Sequence, residues 1–281
     1  MDLIILLLSL VVSTYSLAFA LFLLEFLNAE GKRFSWAVHL LEFGFLVHTI
    51  LIFVQTFSVS RIAPVEFHLP VITLGEASGF FAWSLAFVYL ILLRRLKTET
   101  FGLILAPVLV LFLIPNFFPF QPNHELFKHF HDGYFLIHIL SAFFGYAGFA
   151  LSFIAATLYL ALDRALKLKA SGRFYHELLP LDDLERLIFR TLFWGILLLG
   201  VAIVSGVLWA KTAFGTFILK EPKSFASLLT WVVYLVIIFL HEVLMIKGRR
   251  IVMMSLGAFI LVLFTFLGTS LFQTGLHAGA W

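Results

Sequence analysis

Histidine and glutamate side chains lie within or beside long apolar stretches of this sequence, where polar groups are energetically costly. They are His39, Glu42, His48, Glu76, His138, His241, Glu242 and His277. A charged group at the centre of a bilayer costs at least about 2–3 kcal/mol, so it usually faces a cavity or a partner. A neutral imidazole can be buried without a charge, and it is the usual axial ligand of haem iron. These residues could therefore ligate a metal or transfer protons.

The elements that must position these residues are apolar runs of about 20 residues, the length that spans a bilayer core. There are eight, at residues 3–24, 36–57, 76–93, 101–119, 134–162, 187–209, 225–246 and 251–273. Charged residues make up only 12% of the chain, whereas a soluble domain carries about 25%. The sequence therefore predicts an all-α, polytopic membrane protein, in which a single transmembrane domain over residues 1–281 contains eight transmembrane helices.

Lysine and arginine residues set the expected orientation, because they accumulate in cytoplasmic loops. Fourteen of the 19 basic residues lie in alternate connections, at 32–33, 94–97, 164–190 and 247–250. The bias predicts that both termini and the connections at 57–75, 120–133 and 210–224 lie outside (N-out/C-out). The expected location is a bacterial-type inner (plasma) membrane, with periplasmic termini. The net charge of +3 comes from basic residues that the membrane orientation already explains. We therefore expect this protein to have the lipid bilayer as a partner and not to bind nucleic acid.

Helix geometry sorts the histidines into two depths. His48 lies in the middle of the second run, and His241 lies about 24 Å along the seventh, toward its cytoplasmic end. His138 lies one turn inside the outer end of the fifth run, and His277 follows the eighth run at the same surface. This arrangement favours two bis-histidine haem sites, one at membrane depth and one at the outer face. The alternative interpretation is that each histidine forms hydrogen bonds between helices.

Several short motifs occur at the same residues in a fixed order. They are Glu76…Ala82-Trp83, His138-x7-Tyr146-Ala147, Leu181-Asp182, Gly206-x-x-Trp209-Ala210, Pro222-Lys223, Trp231, Tyr234, His241, Gly248-Arg249-Arg250 and Gly275-Leu276-His277. In order and spacing they resemble the cytochrome c assembly proteins of the CcsA/HemX superfamily, above all from His138 onward.

The resemblance implies a set of haem-binding residues. In the family, two outer histidines flank a tryptophan-rich outer loop that holds haem at the membrane surface. Carried over, they are His138 and His277, and the loop is residues 210–224, which follows Trp209. A membrane-embedded histidine corresponds to His241, with His48 as the candidate partner. The implied cofactor is b-type haem, bound non-covalently, with these histidines as axial ligands of the iron.

The resemblance also implies a reaction and partners. The family promotes thioether formation between the vinyl groups of haem and the two thiols of a Cys-x-x-Cys-His motif in apocytochrome c. The expected partners are haem, apocytochrome c and a second membrane assembly subunit. The chain would be at most part of a cytochrome c synthase (haem lyase) complex, and no catalytic residue is assigned to it. The assembly protein needs no cysteine of its own, in agreement with the absence of cysteine here.

The outer loop departs from the tryptophan-rich pattern of the family. The three signature tryptophans are replaced by Phe214, Ile218 and Lys220. Tryptophan offers a porphyrin a flat face and an N–H donor, whereas Phe214 and Phe217 offer part of the face and no donor. This departure favours a second hypothesis, a HemX-type membrane regulator of tetrapyrrole (haem) biosynthesis. Haem delivery and haem sensing both stay open at this point.

A third hypothesis is a proton-coupled small-solute transporter in which Glu42, Glu76 and the histidines form a relay. The sequence contains no inverted repeat and no paired helices broken by glycine and proline, features that transporters often show. The structural alternatives are a hydrogen bond between Glu42 and His39, and a helix cap formed by Glu76. The absence of cysteine excludes disulfides, cysteine zinc sites and iron–sulfur clusters.

Overall fold

The computed structural model describes residues 2–27, 35–58, 68–96, 99–118, 129–169, 178–215 and 222–266. Every regular element in these ranges is helical, which confirms the all-α prediction for them. In chain order the helices are α1 (Asp2–Leu27), α2 (Ser35–Ser58), α3 (Leu74–Leu96), α4 (Gly102–Leu113), α5 (Gly133–Lys167), α6 (Leu181–Phe214), α7 (Pro222–Glu242) and α8 (Arg249–Phe266). Two 3-10 turns, Glu99–Phe101 and Ile114–Phe117, flank α4.

Six of these helices, α1, α2, α3, α5, α6 and α7, are long and apolar enough to cross a membrane. The fourth predicted span is a shorter apolar helix, Gly102–Phe117, with Pro107 inside it. Helix α8 ends at Phe266, the last residue that the structure describes. The architecture is that of a polytopic membrane protein, and the number of eight spans stays a prediction.

The chain divides into two compact units, the first ending at Phe130 and the second beginning at His131. The expectation of one transmembrane domain over residues 1–281 stays a prediction beside this division. In unit 1, α1 packs against α2 and α4. A Cβ on Gly44 of α2 would lie 2.8 Å from the ring of Tyr15 in α1, so only glycine allows this approach. Helix α3 packs against α4 and the 3-10 turn that follows α4.

In unit 2, the antiparallel helices α5 and α6 form the longest interface. Small residues line it, because membrane helices associate closely where side chains leave room for the neighbouring backbone. A Cβ on Gly148 of α5 would lie 3.0 Å from the carbonyl oxygen of Thr191, and one on Gly195 of α6 would lie 2.7 Å from the ring of Phe149. This pair is the scaffold on which α7 and α8 pack.

Aromatic contacts attach the last two helices to the α5–α6 pair. The ring of Tyr234 in α7 stacks on Phe149 of α5, with ring centroids 4.4 Å apart. The rings of Phe259 in α8 and Phe153 in α5 also stack at 4.4 Å. Both stacks therefore join the last two described helices to α5, the first helix of the pair.

Candidate functional site

The side chain of His138 bridges α5 and α6 near the start of α5. Its Nδ1 atom lies 2.7 Å from the carbonyl oxygen of Ala202 in α6. A carbonyl oxygen only accepts hydrogen bonds, so Nδ1 is the donor. In a neutral imidazole the remaining lone pair then belongs to Nε2. Histidines that bind metals commonly have this arrangement, in which the nitrogen that does not bind the metal donates to a carbonyl.

Two residues of the Gly206-x-x-Trp209 motif surround the His138 imidazole. A Cβ on Gly206 would lie 2.6 Å from Nδ1 and 2.9 Å from Cε1, so the ring rests on the bare backbone of α6. The indole of the buried Trp209 is nearly parallel to the imidazole, with an angle of 22° and centroids 6.4 Å apart. Phe135 packs on the same indole at 4.7 Å. The motif and His138 were singled out separately in the sequence, and the fold brings them into one cluster.

The same end of unit 2 is closed by Asp132, the residue before α5. Its Oδ1 atom accepts a hydrogen bond of 2.8 Å from the backbone N–H of Tyr134 and caps the helix. Its Oδ2 atom accepts one of 3.3 Å from the hydroxyl of Thr212 in α6. Helix α6 ends at Phe214 and is capped by Gly215, whose φ of +69° is a left-handed conformation that glycine adopts readily. Asp132 therefore holds the start of α5 to the last turn of α6.

Three predicted haem-binding residues cannot be placed beside this cluster. His277 and Phe217 lie outside the described residues, and only the backbone of Phe214 is described. The pairing of His138 with His277, and the contact of the two phenylalanines with haem, stay predictions.

His241 lies at the other end of unit 2, where α7 ends. Its Nε2 atom is 3.2 Å from Oε1 of Glu185 in α6, and its Nδ1 atom is 2.8 Å from Oε1 of Glu242. The ring stacks flat on Phe189 with centroids 3.5 Å apart. Both ring nitrogens thus contact carboxylates, and a metal could reach either one only if the contact on that side opened. The role of His241 as an iron ligand stays a prediction.

Glu185 connects His241 to the last helix. Both of its carboxylate oxygens accept from the backbone N–H of Gly248, at 3.1 and 3.2 Å, immediately before α8. Only 9% of the residue is exposed. An acidic group at a helix N-terminus is favourable because it faces the positive end of the helix dipole. No local pattern in the sequence marks Glu185, because its contacts with His241 and Gly248 span 56 and 63 residues.

His48 is fully buried in unit 1. Its Nδ1 atom lies 3.4 Å from the hydroxyl oxygen of Tyr15 in α1, and the two rings meet edge to face. Its Nε2 atom has no hydrogen-bond partner among the described residues. A buried polar atom without a hydrogen-bond partner is costly, and a ligand that bound to Nε2 would remove this cost. However, haem could approach Nε2 only after neighbouring side chains moved, because His48 is 0% exposed.

Glu76 caps helix α3. Its backbone N–H donates to the hydroxyl oxygen of Thr73, and its Oε2 accepts from the backbone N–H of Ile72, both at 3.1 Å. These reciprocal contacts resemble a capping box and confirm the structural interpretation of Glu76. The proton-relay hypothesis loses support from this residue, since its carboxylate already stabilises a helix end.

The donor set at these sites fits haem better than a bare metal ion. Among the described residues, no group of three or more histidine, cysteine, aspartate and glutamate side chains could hold an ion. Haem supplies four nitrogen ligands of its own and needs only one or two from the protein. A histidine such as His138, whose Nδ1 donates to a backbone carbonyl, is the type of residue that could supply one of them.

Comparison with known proteins gives consistent matches. The sequence profile described as "Cytochrome C assembly protein" matches residues 71–277. "Cytochrome c biogenesis protein CcsA" of Mesostigma viride is 24% identical, over 94% of this chain and 95% of the relative. The protein of the same name from Prochlorococcus marinus (strain MIT 9312) is 23% identical over 76% and 77%. "Protein HemX" of Brevibacillus brevis is 28% identical over 87% and 88%. No solved structure matches.

Proposed function

Because the chain belongs to the cytochrome c assembly protein family, we propose that it binds haem through His138 and delivers it to the outer face of the membrane for attachment to apocytochrome c. His277 is the proposed second axial ligand. The proposed cofactor is b-type haem, bound non-covalently, whose vinyl groups supply the carbon atoms to which the thiols of apocytochrome c add.

The contact between His138 and Ala202 is the observation that carries this proposal. A hydrogen bond of 2.7 Å to a backbone carbonyl selects the imidazole form whose Nε2 can bind iron. Trp209 and Phe135 supply flat apolar faces beside the imidazole, and a porphyrin is a large flat apolar ring with polar edges. The residues of this chain would therefore bind and orient haem, while the reacting thiols belong to the partner.

The proposed orientation places the His138 end outside the membrane, with eight spans and both termini on the same side as this end. Within unit 2, the distribution of basic residues between the two ends supports this orientation. The side chains at the His241 end include Lys167, Arg186 and Arg249, which form ion pairs with aspartates there. Basic residues favour the cytoplasmic side. A second membrane subunit and apocytochrome c are the proposed partners at the outer face.

His241 and His48 are the proposed ligands at membrane depth. At His241, this role requires that the contact with Glu185 or Glu242 opens when haem arrives. The two histidines belong to different compact units, so the proposal for this pair rests on the sequence resemblance.

The test is the absorption spectrum of the protein purified in detergent, before and after addition of haem. In His138→Ala we expect the outer site to lose its haem, so the Soret absorbance per protein should fall by about half, because one of the two proposed sites loses an axial ligand. His39→Ala is the matched control, since His39 is exposed on α2, and it should keep the band. A His138→Ala protein that retains the full band would contradict the proposal. A wild-type protein without pigment, even after haem is added, would favour the transporter hypothesis.

A regulatory role in tetrapyrrole synthesis is the second candidate. The match to "Protein HemX" over most of both chains and the replacement of the loop tryptophans by Phe214, Ile218 and Lys220 favour it. Deletion of the gene distinguishes the two roles. Loss of covalent haem from membrane cytochromes would support delivery, whereas normal covalent haem with altered levels of tetrapyrrole intermediates would support regulation.

A further inference from the structure

Two glycines of α6 each contact an aromatic ring that belongs to a neighbouring helix. His138 of α5 lies on Gly206, and Trp231 of α7 lies on Gly200, where a Cβ would be 3.1 Å from the indole Nε1. Each ring also donates to the carbonyl four residues before its glycine. His138 donates to Ala202 at 2.7 Å, and Trp231 donates to Ile196 at 3.0 Å.

The repeated spacing has a simple cause. In an α-helix, the carbonyl of residue i already accepts from the backbone N–H of residue i+4. The side chain at i+4 lies over the turn that precedes it and so covers this carbonyl. Without a side chain at i+4, the second lone pair of the carbonyl is open to a donor from a neighbouring helix. Glycine at 206 and at 200 leaves both carbonyls accessible to the neighbouring ring, and the hydroxyl of Ser205, which lies 3.2 Å from the Ala202 carbonyl, makes its shorter contact with Val201 at 2.7 Å.

We propose that Gly206 is the positioning residue of His138: by exposing the carbonyl of Ala202, it keeps the imidazole in the form with a proton on Nδ1 and a lone pair on Nε2. The proposal deepens the proposed function, because that form is the one that binds haem iron. The claim that Gly206 sets the tautomer of His138 concerns the haem-free protein, so it can be tested even if the protein binds no haem. Trp209 restricts the plane of the same ring by stacking on it.

The substitution Gly206→Ala removes this arrangement directly. A methyl carbon 2.6 Å from Nδ1 is closer than any Cβ contact that folded proteins tolerate. The imidazole is attached to its own helix through a single Cβ, so it must rotate away from Ala202 or push the helices apart. In either case the hydrogen bond that selects the Nδ1-protonated form is lost.

The experiment uses the full chain in detergent, labelled with ¹⁵N-histidine and free of haem. His138→Gln identifies the signals of His138. In the wild type we expect a protonated Nδ1 and an unprotonated Nε2. In Gly206→Ala we expect these signals to shift toward a mixture of the two neutral forms. Gly200→Ala is the matched control, because it disturbs the equivalent contact of Trp231 and should leave the His138 signals unchanged.

A haem titration of the same variants connects the inference to binding. We expect the dissociation constant to rise by about 10–100-fold in Gly206→Ala, as is usual when the residue that orients a metal ligand is lost. In Gly200→Ala it should stay at the wild-type value. Wild-type tautomer signals and wild-type affinity in Gly206→Ala would overturn the inference. If the wild type binds no haem, the proposed function fails, and the tautomer signals still test Gly206.

A double variant covers the case in which Gly206→Ala does not fold. Truncating the imidazole removes the atoms that the new methyl group meets, so Gly206→Ala combined with His138→Ala should fold and melt near the temperature of His138→Ala alone. Such non-additivity is the mark of two residues in direct contact. If the double variant is as damaged as Gly206→Ala, the clash lies elsewhere and the inference is wrong.

Discussion

The two ends of unit 2 hold a histidine in opposite ways. At one end, the Nδ1 of His138 donates to a neutral carbonyl, that of Ala202. At the other end, both ring nitrogens of His241 contact carboxylates, those of Glu185 and Glu242. Each ring nitrogen of His241 therefore has a carboxylate within hydrogen-bonding distance, and a metal could bind either nitrogen only by displacing that carboxylate.

This difference separates two histidines that the sequence analysis predicts alike as ligands of haem iron. One neutral carbonyl acceptor, as at His138, favours the neutral imidazole form that is protonated on Nδ1. Two acidic acceptors make an imidazole a bridge between chain segments. His241 connects the end of α7 to Glu185, and Glu185 in turn holds the N–H of Gly248 before α8. The contacts of this structure therefore make His241 a connector between helices, and the roles of His138 and His241 as iron ligands stay predictions.

The largest expected effect is the loss of this connector. Glu185→Ala removes the acceptor of both His241 and the Gly248 N–H, so we expect unfolding in detergent to become about 2–3 kcal/mol more favourable. Circular dichroism during thermal unfolding measures the change. The haem affinity of the opposite end should be unaffected, because distant sites act independently.

Glu242→Ala is the control for this prediction. The side chain of Glu242 is 62% exposed, and exposed ion pairs contribute about 0–1 kcal/mol. A loss as large as that of Glu185→Ala would show that burial of Glu185 is irrelevant. A change of haem affinity in Glu185→Ala would show that the two ends of unit 2 are coupled, and it would contradict the view that they are independent sites.

A smaller effect is expected at the His138 end, from Asp132. Asp132→Ala removes the cap of α5 and the contact with Thr212, and we expect a loss of about 1 kcal/mol in unfolding free energy. Asn is an equally good cap, so Asp132→Asn should retain most of the stability. If Asp132→Asn is as unstable as Asp132→Ala, the negative charge and not the cap is what matters.

The smallest effect concerns the surface charges around the His241 end. Lys167 pairs with Asp163 at 2.8 Å, and its side chain is 60% exposed. We expect Lys167→Met to change the unfolding free energy by about 0.5 kcal/mol or less, and the difference to shrink further in high salt. A loss comparable with that of Glu185→Ala would mean that charge density, and not the Glu185 connector, stabilises this end.

The apolar runs predicted the helices well and their ends less well. The predicted run 134–162 covers α5 from its second residue but misses its end at Lys167. The run 187–209 is the centre of α6, which begins at Leu181 and ends at Phe214. Hydrophobicity marks only the part of a helix that faces lipid or core. The backbone hydrogen bonds continue into polar residues such as Arg164 and Asp182, where the apolar pattern has already ended.

The site was predicted as residues and not as contacts. His138, Gly206 and Trp209 were all named in the sequence, because imidazole chemistry and the family resemblance pointed to them. The contact between the His138 imidazole and Gly206 could not be predicted from the sequence, because the two residues are 68 positions apart. Glu76 shows the converse case. Its cap uses Thr73 and Ile72, which are close in sequence, so the position of Glu76 at the start of an apolar run was enough to suggest a cap.

The sequence by itself determined the helical membrane architecture, the family and the set of candidate histidines, because composition, hydrophobic run length and residue order are properties of the linear chain. Only the tertiary structure decided what each ring nitrogen contacts. Helix packing brings a backbone carbonyl to His138 and the carboxylate of Glu185 to His241, and both partners are distant from these histidines in sequence.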